Sequence, residues 1–128
     1  MSNIPDDLRY TSEHEYVRRI DGGMVEIGIT DYAQGELGDI VFVTLPAVGD
    51  SFENHQSFGS IEAVKAVSEL FSPIAGEVTA VNDGLDADPG VINRDPYGAG
   101  WMIRLKPAKA DEIDALMDAA AYRGHIGE

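Results

Sequence analysis

The sequence predicts a mainly β fold, a small antiparallel sandwich or barrel, on three observations. Short runs of β-branched and aromatic residues recur along the chain, and Gly, Pro, Asn or Asp separates one run from the next. Helical patterns do not alternate with these runs, as parallel βαβ units would require. The clearest apolar pattern of helical period stands in the tail.

Taken in order, Tyr16-Val17-Arg18-Arg19-Ile20 and Met24-Val25-Glu26-Ile27-Gly28-Ile29 predict a hairpin. Asp21-Gly22-Gly23 joins them, because glycine takes the positive φ that a tight turn demands. Thr30 and Asp31 suit the start of a short helix through Tyr32-Ala33-Gln34-Gly35-Glu36, which Gly38 stops. Ile40 to Leu45 is the next strand, broken by Pro46 and Gly49. Further strands are expected at His55 to Ser60, Val67 to Phe71, Gly76 to Val81 and Met102 to Leu105, with a surface loop from Asn82 to Gly90. Asp111 to Ala121 is expected to form one amphipathic C-terminal helix, with Ile113, Leu116, Met117 and Ala120 on one face. Asp111 and Glu112 favour the positive end of its dipole, and Gly124 lies beyond it.

At 128 residues and 44% hydrophobic content, the chain suits one domain, 1–128, around one core. Its 23 acidic and 9 basic residues give a formal charge of −14, which repels nucleic acid and anionic membrane surfaces. No apolar run approaches the roughly 20 residues of a membrane span. The start, Met1-Ser2-Asn3-Ile4-Pro5-Asp6-Asp7, lacks the regions of a signal peptide, so a soluble, unexported protein is expected. The chain has no cysteine, which removes disulfides, thiolate metal sites and Cys nucleophiles; any redox chemistry must be imported.

Several constellations carry little. His14 stands between Glu13 and Glu15, but His55 and His125 follow at no metal-ligand spacing, so no metal is expected. Gly98-Ala99-Gly100 lacks the third glycine of a dinucleotide fingerprint, and Phe58-Gly59-Ser60-Ile61-Glu62 does not fit a nucleophile elbow. Tyr97 and Trp101 read as core or turn anchors.

Lys65 is different. It is one of three lysines, and it stands in Ser60-Ile61-Glu62-Ala63-Val64-Lys65-Ala66-Val67-Ser68-Glu69-Leu70-Phe71-Ser72-Pro73 among apolar and small neighbours rather than on a charged face. The pattern leaves the local structure open. Val67 to Phe71 reads as a strand, yet Ile61, Val64, Val67 and Leu70 also share one face of a helix.

This segment resembles the lipoyl-lysine loop of the glycine cleavage system H protein family. Three further blocks resemble the family in the same order: Tyr10-Thr11-Ser12-Glu13-His14-Glu15-Tyr16, then Gly28 to Gln34 with Leu37 to Val43, then Asn93-Arg94-Asp95-Pro96-Tyr97-Gly98-Ala99-Gly100-Trp101-Met102. The resemblance implies a barrel-sandwich hybrid with Lys65 at the tip of a β-hairpin. It implies lipoate in amide linkage on Lys65 and no catalysis by the protein itself. The arm would take the aminomethyl group of glycine from the pyridoxal-phosphate-dependent glycine decarboxylase (P protein) to the aminomethyltransferase (T protein). Dihydrolipoyl dehydrogenase (L protein) would reoxidise the arm, and a lipoate-attaching enzyme would load it. Glu15 and Glu69 are then expected to dock the aminomethyl arm, and Glu62 to serve recognition by the modifying enzyme, with Gly59 helping to form the turn. The compartment implied is the cytoplasm of a bacterium, or the mitochondrion of a eukaryote, although no transit peptide is seen.

Two positions depart from the family's pattern: Tyr16 stands where Trp is usual, and Glu13 where small polar residues are common. The nearest rival cargo is biotin, since Glu62-Ala63-Val64-Lys65-Ala66 is close to the biotinyl carriers' segment, but the methionines that flank their lysine are absent. An acidic interaction module with an unmodified Lys65 is the third reading.

Overall fold

The computed structural model describes residues 3–128. Strands β1 (Arg9–Tyr10), β2 (Glu15–Arg19) and β3 (Val25–Ile29) form an antiparallel meander. The turn between β2 and β3 uses both expected glycines, Gly22 and Gly23, at φ 77° and 75°. Helix α1 (Asp31–Leu37) starts where Thr30 Oγ1 accepts a hydrogen bond from the Ala33 amide at 3.2 Å, and it stops at Gly38, whose φ is 79°. Then come β4 (Ile40–Thr44), β5 (Ser51–Phe52), β6 (Ser57–Ala63), β7 (Val67–Phe71) and β8 (Gly76–Val81). Composition predicts a loop from Asn82 to Gly90, but a single turn, α2 (Gly84–Ala87), stands within it, and a second, α3 (Val91–Arg94), follows directly. Each turns one apolar side chain inward, Leu85 and Ile92, and both are buried in the core. Strand β9 (Ile103–Pro107) follows.

Two sheets result, one in the order β1-β2-β3-β9-β8-β5 and the other β4-β6-β7. This is the mainly β, barrel-sandwich arrangement expected. Val25, Ile27 and Ile29 of β3, Ile103 and Leu105 of β9 and Val78 of β8 belong to one core with Val43, Ile61 and Leu70 of the smaller sheet. None is more than 4% exposed, and full burial of such a side chain contributes roughly 1.5–3 kcal/mol. Arg18, Glu26 and Arg104 are register neighbours across β2, β3 and β9. The Glu26 carboxylate accepts from both guanidinium groups at 3.0 Å, which compensates its burial.

The tail corrects one boundary. The single helix expected over 111–121 is two pieces, a turn α4 (Asp111–Asp114) and a helix α5 (Ala119–Ile126) that takes in Gly124. Between them Met117 leaves the helical ladder to exchange two backbone hydrogen bonds with Tyr10 of β1, at 2.8 and 3.0 Å. Asp118 restarts the helix, its side chain accepting from the Ala121 amide at 2.9 Å. Helix α5 then brings Tyr122 onto Tyr10, with the rings stacked at 4.7 Å, in a second apolar cluster with Ile4, Leu8, Tyr16 and Tyr97. Among the described residues no helix is long and apolar enough to cross a membrane.

Candidate functional site

Strands β6 and β7 pair antiparallel down to Glu62 and Val67, and beyond that pair the Ala63 amide donates to the Ala66 carbonyl at 2.8 Å. Val64, Lys65 and Ala66 are therefore the tip of a hairpin, not part of a helix, and all three are exposed. The helical spacing of Ile61, Val64, Val67 and Leu70 is a coincidence of two strands: Ile61 and Leu70 are buried at 1% and 2%, whereas Val64 and Val67 are 72% and 70% exposed.

The tip is held from below. The Val64 amide donates to the Asp39 carbonyl at 2.9 Å, which ties the hairpin to the junction between α1 and β4. Asn93 braces that junction: its Nδ2 donates to the Gly38 carbonyl and to Gln34 Oε1, and its Oδ1 accepts from the Ile40 amide, all at 2.9–3.0 Å. The lysine stem lies over Gly38, where an added Cβ would stand 3.4 Å from both Lys65 Cδ and Cε. Lys65 takes part in none of the ion pairs among the described residues.

Beside the hairpin lies a cleft of about 140 Å³. Ile29, Ala33, Leu37, Ile61 and Leu70 give it apolar walls, and Glu13, His14, Glu15, Glu36, Ser68 and Glu69 give it polar ones. Glu15 is 2% exposed. Its Oε1 accepts from the Thr11 hydroxyl at 2.6 Å and its Oε2 from the Phe71 amide at 3.3 Å. Burial outweighs these bonds and pushes its carboxyl up to about 8, so it keeps a proton to near-neutral pH. Glu69 borders the same cleft at its rim; it pairs with Ser60, two residues along from the Glu62–Val67 pair, and so shares the outer face of the sheet with that pair. Glu62 stands on that outer face too, exposed, directly across from Val67 and Phe42.

Gly59 does not form the turn. It lies within β6, where an added Cβ would meet the Thr44 carbonyl oxygen at 2.1 Å, so it permits the close approach of the end of β4 to β6. Tyr16, in the aromatic position, is fully buried with its ring against Gly28, and its hydroxyl donates to the Pro96 carbonyl at 2.8 Å.

Sequence reasoning missed His14 as part of this site. His14 has a positive φ of 71°, and its Nδ1 lies 2.8 Å from the Tyr122 hydroxyl, which in turn lies 2.8 Å from Thr30 Oγ1. The chain of contacts runs from the C-terminal helix through the cleft wall to the cap of α1. Burial, with His125 adding to it, lowers the pKa of His14 and favours the neutral imidazole. The run His14-Glu15-Tyr16 signals position only, because the partner lies 108 residues away. Among the described residues no group of three or more His, Cys, Asp and Glu could hold a metal ion.

A two-sheet sandwich that displays one lysine at a braced hairpin tip, beside a cleft, has the geometry of a carrier domain. The family model described as glycine cleavage H-protein matches residues 8–128. Glycine cleavage system H proteins of Chlorobium chlorochromatii and Anaeromyxobacter sp. strain K are 55% and 54% identical over 125 residues, covering 98% of this chain and 98% and 97% of the relatives. The crystal structure of a glycine cleavage system H protein from Mycobacterium marinum superposes with a TM-score of 0.89 at 39% identity, covering 98% of this chain and 100% of that one. The chain belongs to the glycine cleavage H-protein family, the non-catalytic, lipoyl-carrying subunits of the glycine cleavage system.

Proposed function

We propose that Lys65 is the lipoyl attachment site and that residues 1–128 form one lipoyl-carrier domain, which takes the aminomethyl group from glycine decarboxylase to the aminomethyltransferase and returns to dihydrolipoyl dehydrogenase. The observation that carries this reading is an exposed lysine at the braced tip of a hairpin, next to a narrow cleft with apolar walls and a buried carboxyl. The residues fit the group: Gly38 leaves room for the lysine stem, and Ile29, Ala33, Leu37, Ile61 and Leu70 suit an alkyl arm. Lipoate in amide linkage supplies the disulfide that accepts the cargo, a redox pair that a cysteine-free chain cannot provide.

The protein's own residues present and shelter. Glu15 holds a proton near neutral pH, and a protonated amine brought beside it favours the carboxylate, so docking of the cationic cargo releases that proton and pairs the charges. Glu69, at the rim, adds a second carboxylate to the approach. Glu62 sits on the displayed face where a modifying enzyme must approach. The named relatives are bacterial, and we place the chain in the cytoplasm. Intact mass of the native protein, with peptide mapping, separates lipoyl, biotinyl and unmodified Lys65 in one measurement. Any mass other than that of lipoyl-Lys65, from a cell that makes lipoate, overturns the assignment.

A further inference from the structure

The outer face of the three-stranded sheet carries apolar residues that the fold does not use. Phe42 on β4, Glu62 on β6 and Val67 on β7 are consecutive register partners, so they form one row across the sheet. Phe42 is 52% and Val67 70% exposed, and Val41 and Val64 flank the row at 53% and 72%. A residue pair slips between Ile40 and Phe42, and this bulge leaves Val41 and Phe42 both facing solvent. Four of the five large exposed hydrophobic residues of the described chain are therefore gathered at the end of the sheet that bears Lys65. Such a cluster is the ordinary mark of a contact surface.

We propose that this row, with Phe42 as its apolar anchor and Glu62 as its charged centre, is the docking surface for the enzyme that acylates Lys65. The inference rests on the reading of Lys65 as the attachment site and adds the surface that delivers it. Reach decides the occupant. The dehydrogenase meets the end of a long arm and can stand off from the domain, and an enzyme that takes the sheltered cargo meets the cleft, on the side of the buried Ile61 and Leu70 and not on this outer face. The acylating enzyme must bring the bare amine to its own acyl donor, so it comes within one lysine side chain of the tip. A footprint of roughly 800 Å² centred there takes in a row that spans three strands at about 4.8 Å spacing. Charge specifies the other half: Glu62 lies in the row, Asp39 and Glu69 stand beside it, and the chain carries −14, so the partner surface is an apolar socket edged by Arg or Lys.

The test is the rate of lipoylation of the unmodified protein by a lipoate-attaching enzyme, with Phe42→Ser and Val67→Asn as independent variants. Val48→Ser is the control, since Val48 is 62% exposed but follows β4 at the end remote from the tip. Each row variant is expected to lower kcat/KM about tenfold, the effect of truncating one interface anchor, with unchanged circular dichroism and Tm, and Val48→Ser to stay within about twofold. Once lipoylated by prolonged incubation, the row variants should be reduced and reoxidised by dihydrolipoyl dehydrogenase at the wild-type rate. Wild-type lipoylation rates in both row variants would overturn the docking surface while leaving Lys65 as the attachment site. A defect only in transfer to the decarboxylase or aminomethyltransferase, or a concentration-dependent dimer that Phe42→Ser abolishes, would assign the face elsewhere and overturn it equally. Absence of lipoate on wild-type Lys65 would instead sink the reading beneath it.

Discussion

Glu15 accepts a hydrogen bond from the Phe71 amide at 3.3 Å, and this contact joins β2 of the larger sheet to the base of the lysine hairpin in the smaller one. The carboxyl thus stands where the two sheets meet and where the cleft opens.

Its titration has a defined sign. Burial raises the Glu15 carboxyl from 4.5 to about 8, so the folded state prefers the protonated form. The stability this gives is present in full below pH 4.5 and is lost as pH rises toward 8. Glu15→Gln is isosteric and does not ionise. Urea unfolding of the unlipoylated pair from pH 5 to 8 should therefore shift in favour of Glu15→Gln, with a difference slope approaching about 1.4 kcal/mol per pH unit. A flat difference would show that the carboxyl is not held protonated.

Glu15→Ala tests sheltering. In the protein loaded with the aminomethyl group, this variant should release its cargo to water several-fold faster than wild type, followed as ammonia and formaldehyde formation. Lipoylation and reoxidation by the dehydrogenase should remain near normal. Equal release rates would remove Glu15 from the docking role.

Lys65→Arg should carry no lipoate and support no glycine decarboxylation. The side chain is exposed, so stability should move by no more than about 0.5 kcal/mol. Activity that survives in this variant, with lipoate mapped to Lys106 or Lys109, would be decisive against the assignment.

Gly59→Ala should destabilise the protein by about 2 kcal/mol or more, because the obstruction at 2.1 Å is the backbone oxygen of Thr44 and cannot rotate away. The effect would appear as a lowered Tm, and lipoylation of the fraction that folds should proceed at the ordinary rate. Normal stability with slowed lipoylation would instead give Gly59 a role in recognition.

Glu26→Gln should cost about 2 kcal/mol, the value of charge-assisted hydrogen bonds lost from Arg18 and Arg104. Arg18, Glu26 and Arg104 lie in the other sheet from the hairpin, so lipoylation at 25 °C should not change. Urea unfolding and the lipoylation assay check both halves.

Much of this was legible in the sequence, and for local reasons. Val67 to Phe71 and Gly76 to Val81 are strands with the expected bounds, since Gly and Pro stand between them. Gly22, Gly23, Thr30 and Gly38 act in the turn and caps their chemistry suggests. The resemblance, rather than the periodicity, placed Lys65 on a hairpin, because alternating strands of a short hairpin can imitate a helical face. The tail was misread for a related reason. Ile113, Leu116 and Met117 keep helical spacing, but Met117 spends its backbone on Tyr10, and only Asp118 ahead of Ala119-Ala120-Ala121 hints at a second start. The burial of Glu15 and the contact of His14 with Tyr122 depend on strands and helices far apart in the chain, and no window of sequence contains them.

The order of strands in the larger sheet bears on how the protein is made. Strand β9 sits between β3 and β8, and Tyr10 closes on Met117, so the larger sheet cannot be completed until the last fifth of the chain has left the ribosome. The lysine hairpin needs no such wait, since β4, β6 and β7 are near neighbours in sequence and β6–β7 is contiguous. Synthesis thus presents the acceptor lysine before the sheet that carries Glu15 is closed, and a nascent chain that is acylated early carries its arm beside a half-built sandwich.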